Sequence, residues 1–376
     1  MGIMQFLPTA IFVFRLVAWL QNKVLKQGQM EFPRSSLATV VVILVVSLGG
    51  CQSKVVQFIF GDSLSDVGNN GYLSRSLAKA ALPWYGIDLG SGLPNGRYTN
   101  GRTVADIIGD VTGLPRPPAF MDPSLSEELI LHNGVNFASG GGGILNETGR
   151  LFIQRFTFFK QIEMFQGTQR LMQNYLGNEA AEKFFRGSKY VVGLGSNDFI
   201  NNYVMPFYGD AWKYNDRSYI QYLVETFQEQ LTLLHKLGAR EIMVFGLGPI
   251  GCIPLLRVLN DLGECQARTN NLALSFNQAA SKMVQSLVMR LPNATIKFAD
   301  AYDAVMAIIN DPVKYGFSNS DSPCCSFGKI RPALTCIPAS SLCSDRSKYV
   351  FWDEYHPTDS ANELIAKELM TKFGFI

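Results

Sequence analysis

The apolar positions of this chain gather into short, nearly unbroken runs, separated by longer stretches with helical spacing. Five such runs follow residue 54: VVQFIF at 55–60, GVNFA at 134–138, YVVGLG at 190–195, EIMVFGLG at 241–248 and TIKFAD at 295–300. Runs this short and this continuous are the pattern of strands covered on both faces. Between them, residues 219–237 place Ile220, Leu223, Phe227, Leu231 and Leu234 at helical intervals and stop at Gly238, a residue suited to a helix C-terminus. Residues 266–291 read as a second long helix closed by Pro292, and a last helix is expected from Ser360, where Ser360-Ala361-Asn362-Glu363 has the form of a capping box. Strands alternating with helices imply a parallel sheet with helices on both sides. Five strands predict a flavodoxin-like, doubly wound α/β fold.

Two long connections interrupt the alternation. Residues 71–133 are rich in Gly and Pro and are expected to form an irregular edge of a cleft. Residues 201–219 hold Tyr203, Phe207, Tyr208, Trp212, Tyr214 and Tyr219. Such a segment either lines a hydrophobic or sugar-binding groove or packs onto the core by its aromatic rings. Both readings stay open. Past residue 54 there is no internal repeat, low-complexity linker or charge block, so residues 54–376 are expected to be a single domain.

The front of the chain has a different pattern. Residues 37–48 (LATVVVILVVSL) follow Arg34 and precede Gly49 and Gly50, the order of a secretory signal peptide over residues 30–53. About a dozen apolar residues is short for a membrane-spanning helix, so no span is expected in the mature chain. Met30 suits the start of such a signal, which leaves residues 1–29 as an extension without a role: an over-extended gene model or a second hydrophobic anchor. Leu48-Gly49-Gly50-Cys51 also resembles a bacterial lipoprotein cleavage box.

Composition narrows the partners. The chain has 376 residues, 47% hydrophobic and 17% charged, with a formal net charge of +2. It has no basic run and no aromatic-basic interleaving, so nucleic acid is not an expected partner. Of seven cysteines, Cys51 falls beside the signal. Cys252, Cys265, Cys324, Cys325, Cys336 and Cys343 remain, an even number that suits loop disulfides in an oxidising compartment, with about fifteen connectivities open. Adjacent cysteines and only three histidines fit a zinc site poorly, and no metal or cofactor is expected. Two sequons, at Asn146 and Asn293, would accept glycans in the secretory pathway.

The candidate chemistry begins where the first strand ends. Gly61 breaks the run and presents Asp62 and Ser63 at the strand's carboxyl end, where open α/β sheets gather ligands and where a hydrolase holds its nucleophile. An Asp/Ser helix cap explains the same residues. A serine nucleophile needs a base, and the chain offers His132, His235 and His356. His235 lies in the last turn of a predicted helix and reads as structural; His132 has no obvious partner. His356 stands in Phe351-Trp352-Asp353-Glu354-Tyr355-His356-Pro357, with Asp353 three residues upstream to fix its tautomer. For an oxyanion hole there are two sources: the glycines 140–143 after the second strand, and the side-chain amide of Asn197 after the third. A tight turn and a helix cap are their structural alternatives. Taken together, Ser63, the glycine run, Asn197 and Asp353/His356 all fall at one edge of one sheet.

The chain resembles the plant-type GDSL esterase/lipase family of the SGNH hydrolases. The matching segments are FGDSLSDVGNN (60–70), GRYTNGRTVADII (96–108), GVNFASGGGGI (134–144), VVGLGSNDFINNY (191–203), GLGPIGCIP (246–254) and YVFWDEYHPT (349–358), in family order across residues 55–376. The resemblance implies Ser63 as nucleophile, His356 as base and Asp353 as its orienting acid. It further implies an oxyanion hole of the Ser63 N–H, a glycine N–H and the Asn197 amide, with Gly141 favoured over Gly140. One departure is Gly142, where many relatives carry alanine, an exchange expected to loosen the loop without removing a donor. Asp62 is then a turn former. The implied protein is a secreted serine ester hydrolase, of cell wall or apoplast in a plant, acting on acyl esters of lipids or of cell-wall material. A polysaccharide O-acetylesterase, an acyltransferase and a catalytically silent binding protein are the other expectations.

Overall fold

The computed structural model describes residues 55–205, 212–327 and 336–373. The signal-like segment 30–53, the extension 1–29, Phe207 and Tyr208 lie outside the described residues. The chain runs through β1 (Gln57–Gly61), α1 (Val104–Thr112), α2 (Glu127–Asn133), β2 (Gly134–Asn136), α3 (Phe158–Leu176), α4 (Asn178–Gly187) and β3 (Lys189–Gly193). It continues through α5 (Asp216–Lys236), β4 (Glu241–Phe245), α6 (Pro254–Val258), α7 (Ala267–Arg290), β5 (Thr295–Ala299) and α8 (Tyr302–Asn310). Four short strands, β6 (Asn319–Pro323), β7 (Cys325–Ser326), β8 (Ser341–Leu342) and β9 (Tyr349–Phe351), precede the last helix, α9 (Asp359–Lys372).

The five expected strands form one parallel sheet in the order β2-β1-β3-β4-β5, so the flavodoxin-like prediction holds. Alternation along β1 divides its side chains between two layers. Phe58 and Phe60 enter the main core, where Phe58 meets Phe165 of α3 at 5.3 Å between ring centres and Phe60 meets Phe137 at 5.1 Å. Ile59 faces the other way, against Ala105 of α1 and Val191 of β3. On that side α1 packs on α9 through Ile107, Ile108, Ala366 and Met370. Both faces are thus covered, which is why the strands read as continuous apolar runs. Removing a ring such as Phe60 from this core costs about 3–5 kcal/mol.

The boundaries of the long helices shift slightly from expectation, and each shift has a local cause. α5 starts at Asp216, ahead of its apolar stripe, because Asn215 and Ser218 cap it reciprocally. α9 starts at Asp359 rather than Ser360: the cap is Thr358, whose hydroxyl accepts from the Ala361 N–H. The segment 71–133 is not irregular throughout, since it contains α1, closed by a capping box of Thr103 and Asp106, and α2. The aromatic segment opens as a π-helix over Asp198–Val204. Its Tyr203 and Tyr219 are buried and stack at 4.2 Å, packing onto the core, while Trp212 is exposed.

Six cysteines pair as Cys252–Cys265, Cys324–Cys343 and Cys325–Cys336. Loops this short gain about 3 kcal/mol each from a cross-link in chain-entropy terms. Among the described residues no helix is long and apolar enough to cross a membrane.

Candidate active site

In a 2-1-3-4-5 sheet the connections leave β1 and β3 in opposite directions, and the crevice between their carboxyl ends is where ligands bind. Ser63 follows β1 and Asn197 follows β3, so both border that crevice. The turn after β1 is built by Asp62, as expected. Its carboxylate accepts from the Leu64 N–H at 3.0 Å, and its carbonyl accepts from the N–H groups of Ser65 and Asp66. Gln161 of α3 completes the strand end: its amide accepts from the Gly61 N–H at 2.9 Å and donates to the Gly61 carbonyl at 2.8 Å. The turn leaves the Ser63 hydroxyl outward.

His356 Nε2 lies 2.7 Å from Ser63 Oγ, although 293 residues separate them. On its other side His356 Nδ1 is 2.8 Å from both oxygens of Asp353. A carboxylate there accepts a hydrogen bond from Nδ1–H, which fixes the tautomer that leaves Nε2 free to accept from the serine. The three-residue spacing works because Asp353 Oδ1 also accepts from the backbone N–H of Tyr355 at 2.8 Å and of His356 at 2.9 Å, curling the loop back on itself. Asp353 is fully buried. Burial raises its pKa, but the charge and hydrogen bond of His356, with the Tyr355 N–H and Tyr85, hold it below the ordinary carboxylate value. Tyr85 donates from its hydroxyl to Asp353 Oδ2 at 2.7 Å, across 268 residues. Tyr98, from the same segment, sets its ring 5.1 Å from that of His356.

The glycine run separates into distinct roles. The Gly140 N–H donates to Asp66 Oδ2 at 3.0 Å, and the Gly142 N–H donates to the Ser139 carbonyl at 2.9 Å. Among the described residues, the N–H groups of Gly141 and Ser63 donate to no protein acceptor. Gly141 has φ +80°, and a Cβ on it would come within 2.4 Å of the Phe152 ring, so the position requires glycine. Gly142 is buried, and its carbonyl accepts from Asn197 Nδ2 at 2.9 Å. Asn201 donates to Asn197 Oδ1 at 2.6 Å, so the Asn197 amide is held at both ends with one N–H left over.

Buried polar residues lock these pieces together. Asn69 donates to the carbonyls of Asn136 and Ala138, and Asn70 to that of Gly140, tying the serine turn to the glycine loop. Asp66 accepts from the N–H groups of Gly68, Asn69 and Gly140; burial nevertheless pushes its pKa up to about 6. Asp198, next to Asn197, accepts from the N–H groups of Ile144 and Leu145 and from the Thr148 hydroxyl at 2.6 Å. Burial pushes it up to about 7, and Asp62 up to about 6. Glu354 is a different case. It is buried without a hydrogen-bond partner for either oxygen among the described residues. Burial, then the charge of Asp353, push it up to about 8.

The structure therefore brings Ser63, His356, Asp353 and Asn197 into one site. Ser63, His356 and Asn197 line one cavity; Gly141 does not line it, but joins the site through its neighbour Gly142. His132 is exposed in the last turn of α2, and His235 is buried elsewhere, with Nε2 3.0 Å from the Pro292 carbonyl oxygen. Tyr85, Gln161, Asp198 and Glu354 escape sequence reasoning. Their partners are remote in the chain, and only the adjacency of Asp198 to Asn197 and of Glu354 to Asp353 hinted at them. Among the described residues no group of three or more His, Cys, Asp or Glu side chains is arranged to hold a metal ion.

Residues 58–369 match the family model described as GDSL-like Lipase/Acylhydrolase. The chain is 64% identical over 339 residues to GDSL esterase/lipase At1g74460 of Arabidopsis thaliana, covering 90% of this chain and 93% of that relative. A second Arabidopsis relative, GDSL esterase/lipase At5g37690, is 43% identical over 342 residues, 91% of this chain and 96% of its own length.

Proposed function

Because the chain belongs to the GDSL esterase/lipase family and is a carboxylic ester hydrolase, we propose that Ser63, His356 and Asp353 carry its reaction, with the N–H groups of Ser63 and Gly141 and the Asn197 amide as oxyanion donors. The observation that carries this reading is the unbroken chain from Ser63 Oγ to His356 Nε2 at 2.7 Å and from Nδ1 to Asp353 at 2.8 Å. Ser63 Oγ attacks the ester carbonyl while its proton passes to Nε2. Asp353 stabilises the imidazolium, and the three donors bind the oxygen as it becomes negative. The proton then moves from Nε2 to the leaving alkoxide. Water, deprotonated in its turn by His356, releases the acid.

We also propose that the protein is exported. Three disulfides and the signal-like segment 30–53 favour an oxidising compartment, where the exposed Asn146 and Asn293 would carry glycans. The test of the catalytic assignment is Ser63→Ala on purified protein with p-nitrophenyl esters. Loss of hydrolysis with an unchanged melting temperature is expected, and retained activity overturns the reading.

A further inference from the structure

The motif GRYTNGR at 96–102, just ahead of α1, supplies no group to the reaction described above, yet its side chains are anchored on both sides of the site. Arg97 pairs with the buried Asp106 of α1 at 2.7 Å. Asn100 Oδ1 accepts from the Asp359 N–H at 2.9 Å, and Arg102 pairs with the Asp359 carboxylate at 2.7 Å. Asp359 is the first residue of α9, directly downstream of the loop that carries His356. The main chain between these anchors is tied as well, since the Thr99 carbonyl accepts from the Gly86 N–H at 2.8 Å. Tyr98 stands in the middle of this strap and is buried.

Its ring centre lies 5.1 Å from that of His356, with the planes inclined at 44°. The far end of the same ring meets the glycine loop: a Cβ on Gly140 would fall 2.2 Å from the Tyr98 hydroxyl oxygen and 2.5 Å from its Cζ. Tyr85, the donor to Asp353, packs edge-on against it at 6.0 Å. The Tyr98 hydroxyl is buried with no hydrogen-bond partner among the described residues, so the side chain acts by the space it occupies and not by a bond. That space separates the base from the loop that bears Gly141. The Nδ1 hydrogen bond of His356, shared between two oxygens of Asp353, leaves the imidazole free to pivot about it. We infer that Tyr98 is a positioning residue: its ring is the stop that keeps Nε2 on the serine at a fixed separation from the oxyanion donors. This rests on Ser63 and His356 being nucleophile and base.

The experiment compares Tyr98→Leu, Tyr98→Phe and a control, Phe185→Leu, in the main core away from the site, well below each melting temperature. With p-nitrophenyl butyrate, Tyr98→Leu should lower kcat about 10- to 100-fold with KM changed less than about twofold, because a misplaced base costs rate and not binding. Labelling of Ser63 by a fluorophosphonate should slow by the same factor. Tyr98→Phe keeps the ring and should restore kcat to within about threefold of the wild type, melting no lower, since the hydroxyl it removes has no partner. Phe185→Leu should lower the melting temperature and leave kcat unchanged. Wild-type kcat in Tyr98→Leu overturns the inference, as does a Tyr98→Phe variant as slow as Tyr98→Leu, or an equal loss of kcat in the control. If Tyr98→Leu does not fold, Tyr98→Met, whose flexible side chain fills irregular gaps, takes its place under the same criteria. Failure of the underlying reading looks different: hydrolysis would then survive Ser63→Ala.

Discussion

The two halves of the site are held by different means. Ser63, the glycine loop and Asn197 sit directly after strands of the main sheet, and side chains of Asp66, Asn69, Asn70, Gln161 and Asp198 tie them to one another. The loop carrying Asp353 and His356 follows β9, which pairs with β6 in a small separate sheet and not with the main one. Its braces come from elsewhere: the Cys324 and Cys325 N–H groups donate to the carbonyls of Phe351 and Trp352, and Tyr85 reaches Asp353 from the far end of the chain. The serine half is thus redundantly pinned by the sheet. The histidine half is held mainly by backbone hydrogen bonds, and its long-range side-chain tie to the triad acid, Tyr85 to Asp353, is one that a single change removes.

That contrast can be broken at several points. The largest effect is expected from His356→Ala, which should lower kcat at least about 10⁴-fold, as Ser63→Ala should, since triad members act as a unit. Asn197→Ala should cost about 10²–10³-fold in kcat with a smaller change in KM, the signature of a lost oxyanion donor. Tyr85→Phe keeps the ring and removes one hydrogen bond to a carboxylate, so kcat should fall about tenfold with KM unchanged. If Tyr85 only filled space, its phenylalanine variant would match the wild type in kcat, and the fragility assigned to the histidine half would be wrong.

The pH dependence of stability tests the same half. Glu354 has a folded pKa of about 8, above its ordinary 4.5, so it stays protonated in the fold while the unfolded chain ionises. Its contribution is full below about pH 4.5, declines as pH rises, and is gone above about 8. Chemical unfolding should therefore show less stability at pH 8 than at pH 5, and Glu354→Gln should narrow that difference. Asp62, Asp66 and Asp198 shift in the same direction, so the decline should shrink without vanishing. His132→Ala, on an exposed turn away from the site, should change neither activity nor stability measurably.

How far the sequence foretold this arrangement follows from the range of each interaction. All five strands were legible to within a few residues, because burial on both faces leaves an unbroken apolar run. α1 and α2 were hidden, since short helices inside a Gly/Pro-rich stretch have too few turns to show a period. The α9 cap fell two residues early for a related reason: Ser360 and Thr358 both suit the position, and only the chain's approach from β9 selects Thr358. Ser63, Asp353 and His356 were readable from local spacing and strand ends. Tyr85 and Gln161 were not, because each acts on a partner about a hundred residues away or more and leaves no local pattern.

The most direct test is to label the purified protein with a fluorophosphonate and locate the adduct by peptide mass spectrometry. A single adduct on Ser63, formed at least a hundredfold more slowly in His356→Ala, is the predicted result. An adduct on another serine, or equal labelling with and without His356, would contradict the site described for this chain.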